Sequence, residues 1–184
     1  MNVNDFKTGV TIQIDGDLYQ VVEFQHVKPG KGSAFVRTKL KNLRTNSTIE
    51  KTFNAGIKVD TARIDKKDMQ FLYQQGDTYY FMNMETFDQV ELSASTLGED
   101  AKFLKENLPV TVSFYEGEVL GVMLPDKIEM VVTATEPAVK GNTTNNAMKD
   151  ATLETGMKVK VPLFIDQGEA ILVSTKDGKY VSRA

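Results

Sequence analysis

The residues with the greatest chemical potential lie in one short run, Lys28-Pro29-Gly30-Lys31-Gly32-Ser33. Pro29 fixes φ and stiffens the approach to the turn. Gly30 and Gly32 remove side-chain cover on both sides of Lys31 and permit positive φ. The spacing presents a single long cation at the apex of a hairpin. A lysine so placed can contact phosphates, or it can serve as a nucleophilic or Schiff-base amine. The second use needs a desolvated pocket that lowers the amine pKa, and a glycine-flanked apex in water is the opposite surrounding. The plain alternative is a Gly-rich turn with an ordinary solvated lysine. The run is neither a P-loop nor a dinucleotide fingerprint, because no helix follows it.

Other chemistry has few candidates. The chain has 184 residues and no cysteine, which excludes disulfides, Cys-ligated zinc, iron–sulfur clusters and thiol catalysis. The single histidine, His26, has no nucleophile or carboxylate at a useful spacing and reads as structural. The acids Asp77, Glu85, Asp88, Glu91, Glu99, Asp100, Glu116 and Glu118 are scattered rather than paired, so no metal site or glycosidase-like pair is expected. Phe71, Tyr73, Tyr79, Tyr80 and Phe81 read as barrel core. No cofactor, no metal and no catalytic residue is expected.

Charge is uneven along the chain. Residues 1–64 carry 10 Lys/Arg against 6 Asp/Glu, residues 65–128 carry 5 against 12, and residues 129–184 carry 7 against 7. From His26 to Arg44 there are six cations, Lys28, Lys31, Arg37, Lys39, Lys41 and Arg44, and no acid. Such a patch suits RNA backbone contact, or it is a solvated strand face. Lys28, Arg37, Lys39, Lys41 and Arg44 are the candidate RNA-binding side chains. No apolar run approaches the roughly 20 residues of a membrane span, and the N-terminus lacks the features of a secretory signal. A cytoplasmic protein with no membrane association is expected.

The elements that must position Lys31 are strands. Val10-Thr11-Ile12-Gln13-Ile14 alternates and Asp15-Gly16-Asp17 turns. Strands follow over 19–27, 34–43 and 48–53, with Phe35, Arg37 and Lys39 on one face of the third and Val36, Thr38 and Leu40 on the other. This is a small barrel of SH3-like size. Strands at 69–73 and 78–82 form a hairpin around Gln75-Gly76-Asp77, and Glu91-Leu92 begins a break. A helix over about 97–107 opens on Thr96-Leu97-Gly98-Glu99, which has capping-box spacing, and Pro109 ends it. Strands at 110–114 and 119–124 complete an OB-type pattern. Beyond Ile128 come a strand at 129–135, a polar loop over 141–149, strands at 158–165 and 170–173 joined by a hairpin turn at 166–169, and a last strand from Tyr180. A loose V-x-V…Gly-Glu pattern at Val110/Gly117 and Val159/Gly168 suggests two like barrels. The expected fold is all-β, with domains over 1–64, 65–127 and 128–184.

Several longer motifs resemble the bacterial elongation factor P family in the right order. The run Pro29-Gly30-Lys31-Gly32-Ser33-Ala34-Phe35 resembles that family's modified-lysine loop. Glu50-Lys51-Thr52-Phe53, Phe71-Leu72-Tyr73 and Phe81-Met82 with Glu85-Thr86-Phe87-Asp88-Gln89 resemble the join between its first two domains and the second domain. Lys149-x-Ala151-x-Leu153-x-Thr155-Gly156, Val159-x-Val161-Pro162-Leu163-Phe164 and Tyr180-Val181-Ser182-Arg183 resemble its third-domain signatures. The resemblance implies a KOW/SH3-like barrel and two OB-type barrels in an L shape that imitates tRNA. It implies a monomer that binds both ribosomal subunits between the P and E sites, beside the peptidyl-tRNA, and relieves stalls at consecutive prolines. It implies that Lys31, on the tip made by Pro29, Gly30, Gly32 and Ser33, receives a covalent extension from a lysine-modifying enzyme. A β-lysyl or aminopentanol group fits a lysine, whereas the rhamnosyl form needs arginine. The family's Gly-Asp-Thr loop near the E-site codon corresponds to Gly141-Asn142-Thr143 here, so a contact specific to the aspartate side chain is not carried over. Two other readings compete: a general single-stranded nucleic-acid binder on OB folds, opposed by the acidic middle third, and a Schiff-base enzyme at Lys31.

Overall fold

The computed structural model describes residues 1–137 and 147–184. The described residues form three five-stranded sheets. After a short 3₁₀ turn at Val3–Asp5, the first sheet contains β1 (Thr11–Ile14), β2 (Asp17–Val27), β3 (Phe35–Asn42), β4 (Thr48–Asn54) and β5 (Asp60–Thr61). Its order is β4-β3-β2-β1-β5. The second holds β6 (Asp65–Gln75), β7 (Thr78–Met82), β8 (Gln89–Ser93), β9 (Pro109–Tyr115) and β10 (Glu118–Met123), with α1 (Ala94–Leu97) and a 3₁₀ turn at Gly98–Phe103 between β8 and β9. Its order is β10-β9-β6-β7-β8. The third holds β11 (Lys127–Thr135), β12 (Met148–Leu153), β13 (Lys158–Pro162), β14 (Ala170–Ser174) and β15 (Tyr180–Arg183), in the order β13-β12-β11-β14-β15. The fold is all-β, as the period of two requires. Packing divides the chain into two compact units, one of Met1–Lys67 with Val112–Gly121, the other of Asp68–Thr111 with Val122–Ala184.

The first core joins Val3, Phe6, Ile12, Val21, Val36, Leu40 and Phe53, with Phe6 edge-on to Phe53 at 5.8 Å. The alternation in β3 is as the sequence predicts: Val36, Thr38, Leu40 and Asn42 face the core while Arg37 and Lys39 face water. The buried Thr38 hydroxyl donates to the Lys51 carbonyl at 2.6 Å, so the polar group in the core is satisfied.

Several expectations need correction. The helix over 97–107 does not form. Ser93 caps α1, accepting from the Thr96 amide at 3.3 Å, and Gly98 at φ 55 and ψ −130 ends the helix after four residues. That backbone leaves the helical region, so the Thr96…Glu99 spacing cannot serve as a capping box. Glu91 and Leu92 are no break, because both lie within β8. The aromatic run is only half core. Register pairs Phe71 with Phe81 and Tyr73 with Tyr80, with a bulge between Phe71 and Tyr73. The extra residue, Leu72, flips the alternation. Phe71, Tyr79 and Phe81 are buried, while Tyr73 is 51 % exposed. The stretch 158–165 is strand only to Pro162, where Ile165 N–H turns back to the Pro162 carbonyl. Finally, the turn at 166–169 does not close a hairpin. β14 pairs with β11 and β13 with β12, because the long β11 serves two partners along its length. The V-x-V…Gly-Glu pattern therefore spans neighbouring strands in one case and a crossover in the other. Strands β5, β8 and β12 are additional to those read from the sequence, and β12 takes Met148 and Lys149 out of the expected loop.

Candidate functional site

Strands β2 and β3 pair from Tyr19↔Asn42 to Val27↔Phe35, and the loop 28–34 closes this long ribbon. Its base is fixed by the Ala55 amide donating to the Ala34 carbonyl at 3.0 Å. Pro29 is half-buried, while Lys28, Gly30, Lys31, Gly32 and Ser33 are exposed. Gly32 alone of the two tip glycines uses the left-handed region, at φ 100. A Cβ built there would lie 4.0 Å from Pro29 Cγ, and one built on Gly30 would meet nothing within 4 Å. The constraint at Gly32 is thus the backbone angle, not space. Among the described residues, Lys31 has no hydrogen-bond or ion-pair partner. The arrangement is a bare, stiff apex carrying one free ammonium.

The expected cation patch is less uniform than the sequence suggests. Arg37 is exposed, 5.9 Å from the Phe35 ring centre, and lies in register between Gln25 and Thr52. Lys39 lies between Glu23 and Glu50. Arg37, Lys39, Gln25, Glu23 and Glu50 line an open groove of about 470 Å³ with Phe24 and Thr38. The acid-free stretch in sequence therefore gains two acids from its neighbours in space. Lys41 is half-buried between Gln20 and Thr48. Arg44 is already engaged. Its Nε donates to Glu118 Oε1 at 3.2 Å, its Nη2 to Glu118 Oε2 at 3.1 Å, and its Nη1 to the Gly16 carbonyl at 3.0 Å. The hydrogen bonds to Glu118 hold its pKa above the ordinary arginine value, against a smaller opposing effect of desolvation. A paired guanidinium of this kind braces the first unit, and would reach a phosphate only by exchanging its carboxylate.

His26 is exposed, with its ring edge-on to Phe24 at 5.6 Å. Among the described residues no group of three or more His, Asp or Glu could hold a metal, and no helix is long and apolar enough to cross a membrane. The loop residues Gly141, Asn142 and Thr143 lie outside the described residues. In the third sheet, Arg183 stacks 4.6 Å over the Phe164 ring and its Nη2 donates to Glu169 Oε1 at 3.3 Å. Alternation in the sequence identifies which β3 residues share a face. It gives no sign of Glu23, Glu50 or Glu118, whose positions depend on register and long-range packing.

Three family models match the chain in succession. They are the elongation factor P (EF-P) KOW-like domain over residues 2–59, the EF-P OB domain over residues 64–122, and the elongation factor P C-terminal domain over residues 128–183. Among solved structures, the chain is similar to eukaryotic translation initiation factor 5A from Methanococcus jannaschii. The identity is 26 % and the TM-score 0.54, covering 67 % of this chain and 92 % of that one. A translation initiation factor eIF-5A family protein from Naegleria fowleri matches at 17 % identity and TM-score 0.52, over 67 % of this chain and 94 % of that one. At that identity the likeness is one of fold.

Proposed function

The chain belongs to the elongation factor P family, and from that premise we propose that it binds between the ribosomal P and E sites and accelerates peptide bonds at consecutive prolines. Members of the family are translation elongation factors that act on the ribosome, not enzymes. The observation that carries the finer reading is Lys31, exposed and unpartnered on a stiff loop at the end of the β2–β3 ribbon. Proline is a secondary amine with φ locked, so it is a badly placed donor and acceptor for peptide transfer. Lys31, lengthened by a covalent group from a modifying enzyme, reaches the acceptor end of the peptidyl-tRNA and holds it. Orientation alone can lower such a barrier by several kcal/mol, up to about 7–11 in ideal cases. The lysine moves no proton and forms no bond in the step, and the reacting groups belong to the ribosome and its tRNAs.

In this reading Lys28, Arg37, Lys39 and Lys41 contact RNA backbone, and Arg44 braces the first unit. The factor works as a cytoplasmic monomer with domains over 1–64, 65–127 and 128–184, the third facing the small subunit. A reconstituted translation assay on a reporter with three consecutive prolines tests the proposal. Protein of native mass relieves the stall, and Lys31→Ala abolishes relief. Full relief by Lys31→Ala would remove the tip from the mechanism.

A further inference from the structure

The bulge at Leu72 places Tyr73 beside Tyr80 on the water side of the second sheet. Their rings stack with centroids 4.6 Å apart and planes 22° from parallel. Tyr80 pairs in register with Glu91 on β8, whose residue is exposed. Among the described residues, neither tyrosine hydroxyl nor the Glu91 carboxylate has a hydrogen-bond or ion-pair partner. An aromatic face left in water forgoes burial worth about 25 cal/mol per Å², and tyrosine is enriched where proteins meet partners.

The surrounding charge selects the partner. The second sheet and its turns, residues 65–123, hold eleven Asp/Glu against four Lys/Arg. Two of those cations are already paired, Lys102 with Glu99 and Lys105 with Glu154. A phosphate backbone is repelled by such a field. A guanidinium is suited to it: its plane stacks on an aromatic face while its N–H groups bond a carboxylate. We propose that Tyr73, Tyr80 and Glu91 form a docking site for an arginine side chain on a basic protein segment. The site is separate from the lysine tip and does not depend on the role given to Lys31.

The test is an NMR titration of the full chain with tyrosine ring and glutamate side-chain labels. The probes are a Gly-Arg repeat octapeptide, the matching Gly-Lys octapeptide and an oligouridine octamer. The arginine peptide moves the Tyr73, Tyr80 and Glu91 signals first and binds more tightly than the lysine peptide. Tyr73→Ala and Glu91→Gln each weaken it about two- to five-fold. Tyr73 is exposed and Glu91→Gln is isosteric, so unchanged chemical shifts in the cores confirm that both variants remain folded. Equal binding of the two peptides with no effect of either variant would reduce the site to general charge attraction and overturn the proposal. So would shifts confined to other acids, or a larger response of these rings to oligouridine.

Discussion

Lys31 stands between two glycines with different duties. Gly32 sits at φ 100, where an added Cβ is strained by the backbone angle, whereas Gly30 has ordinary φ and open space around it. Gly32→Ala should therefore distort the tip at a cost of about 1 kcal/mol, lowering Tm by roughly 2–4 °C and reducing stall relief. Gly30→Ala should leave both near wild type, and thermal melts with the proline reporter compare the two directly. Tyr80 offers a second residue-level check. Partial burial, then the charges of Glu91 and Tyr73, raise its pKa above the ordinary value of 10.0. The folded state thus holds the phenolic proton more tightly than the unfolded chain. The associated stability is present below the unfolded value and is lost as pH rises through the folded one. Ultraviolet titration of wild type and Tyr80→Phe should show the missing tyrosine as a late-titrating one, and Glu91→Gln should move it part of the way back. Lys31 at an exposed apex was legible in the sequence because proline and glycine act locally. The partner of Arg44 was not, because Glu118 lies 74 residues away.

In the proposed reading, the balance of charge along the β2–β3–β4 ribbon sets RNA affinity. Arg37 faces neutral neighbours, and Lys39 faces an acid on each side. Arg37→Ala should weaken tRNA binding and flatten the plot of log K against log salt by about 1. Glu50→Gln should tighten binding at low salt, because it removes a negative charge next to Lys39 in register. Filter binding across a salt series measures both, and a Glu50→Gln variant that binds no better would show that Lys39 does not contact phosphate. Period-two patterning made most strands legible, including which face of β3 is buried. Beyond the short strands β5, β8 and β12, three features escaped it for separate physical reasons. The helix failed because Gly98 takes a backbone that stops it. The Tyr73–Tyr80 pair was hidden because one inserted residue inverts the faces. The link from β13 to β14 resembled a hairpin because turn residues report chain reversal, not which strand the chain then joins.

Over the whole molecule, charge is divided between a basic first third and an acidic middle third, and the proposals assign RNA to the one and a basic protein segment to the other. A factor that docks between the P and E sites must compete with deacylated tRNA for the second of these. Filling the E site should lower the occupancy of this protein on ribosomes, and pelleting with labelled protein reads that directly. Family membership was legible because its motifs recur along the chain, and the three domain models match in the same order. The central claim is that the tip acts by positioning the peptidyl-tRNA. Its most direct test is a single-turnover rate for proline–proline bond formation, taken with ribosome occupancy measured in parallel. Wild-type protein of native mass should accelerate the bond, and Lys31→Ala should lose that acceleration while occupancy stays within about three-fold, since one phosphate contact among several is removed. Undiminished acceleration by Lys31→Ala at equal occupancy would contradict the account.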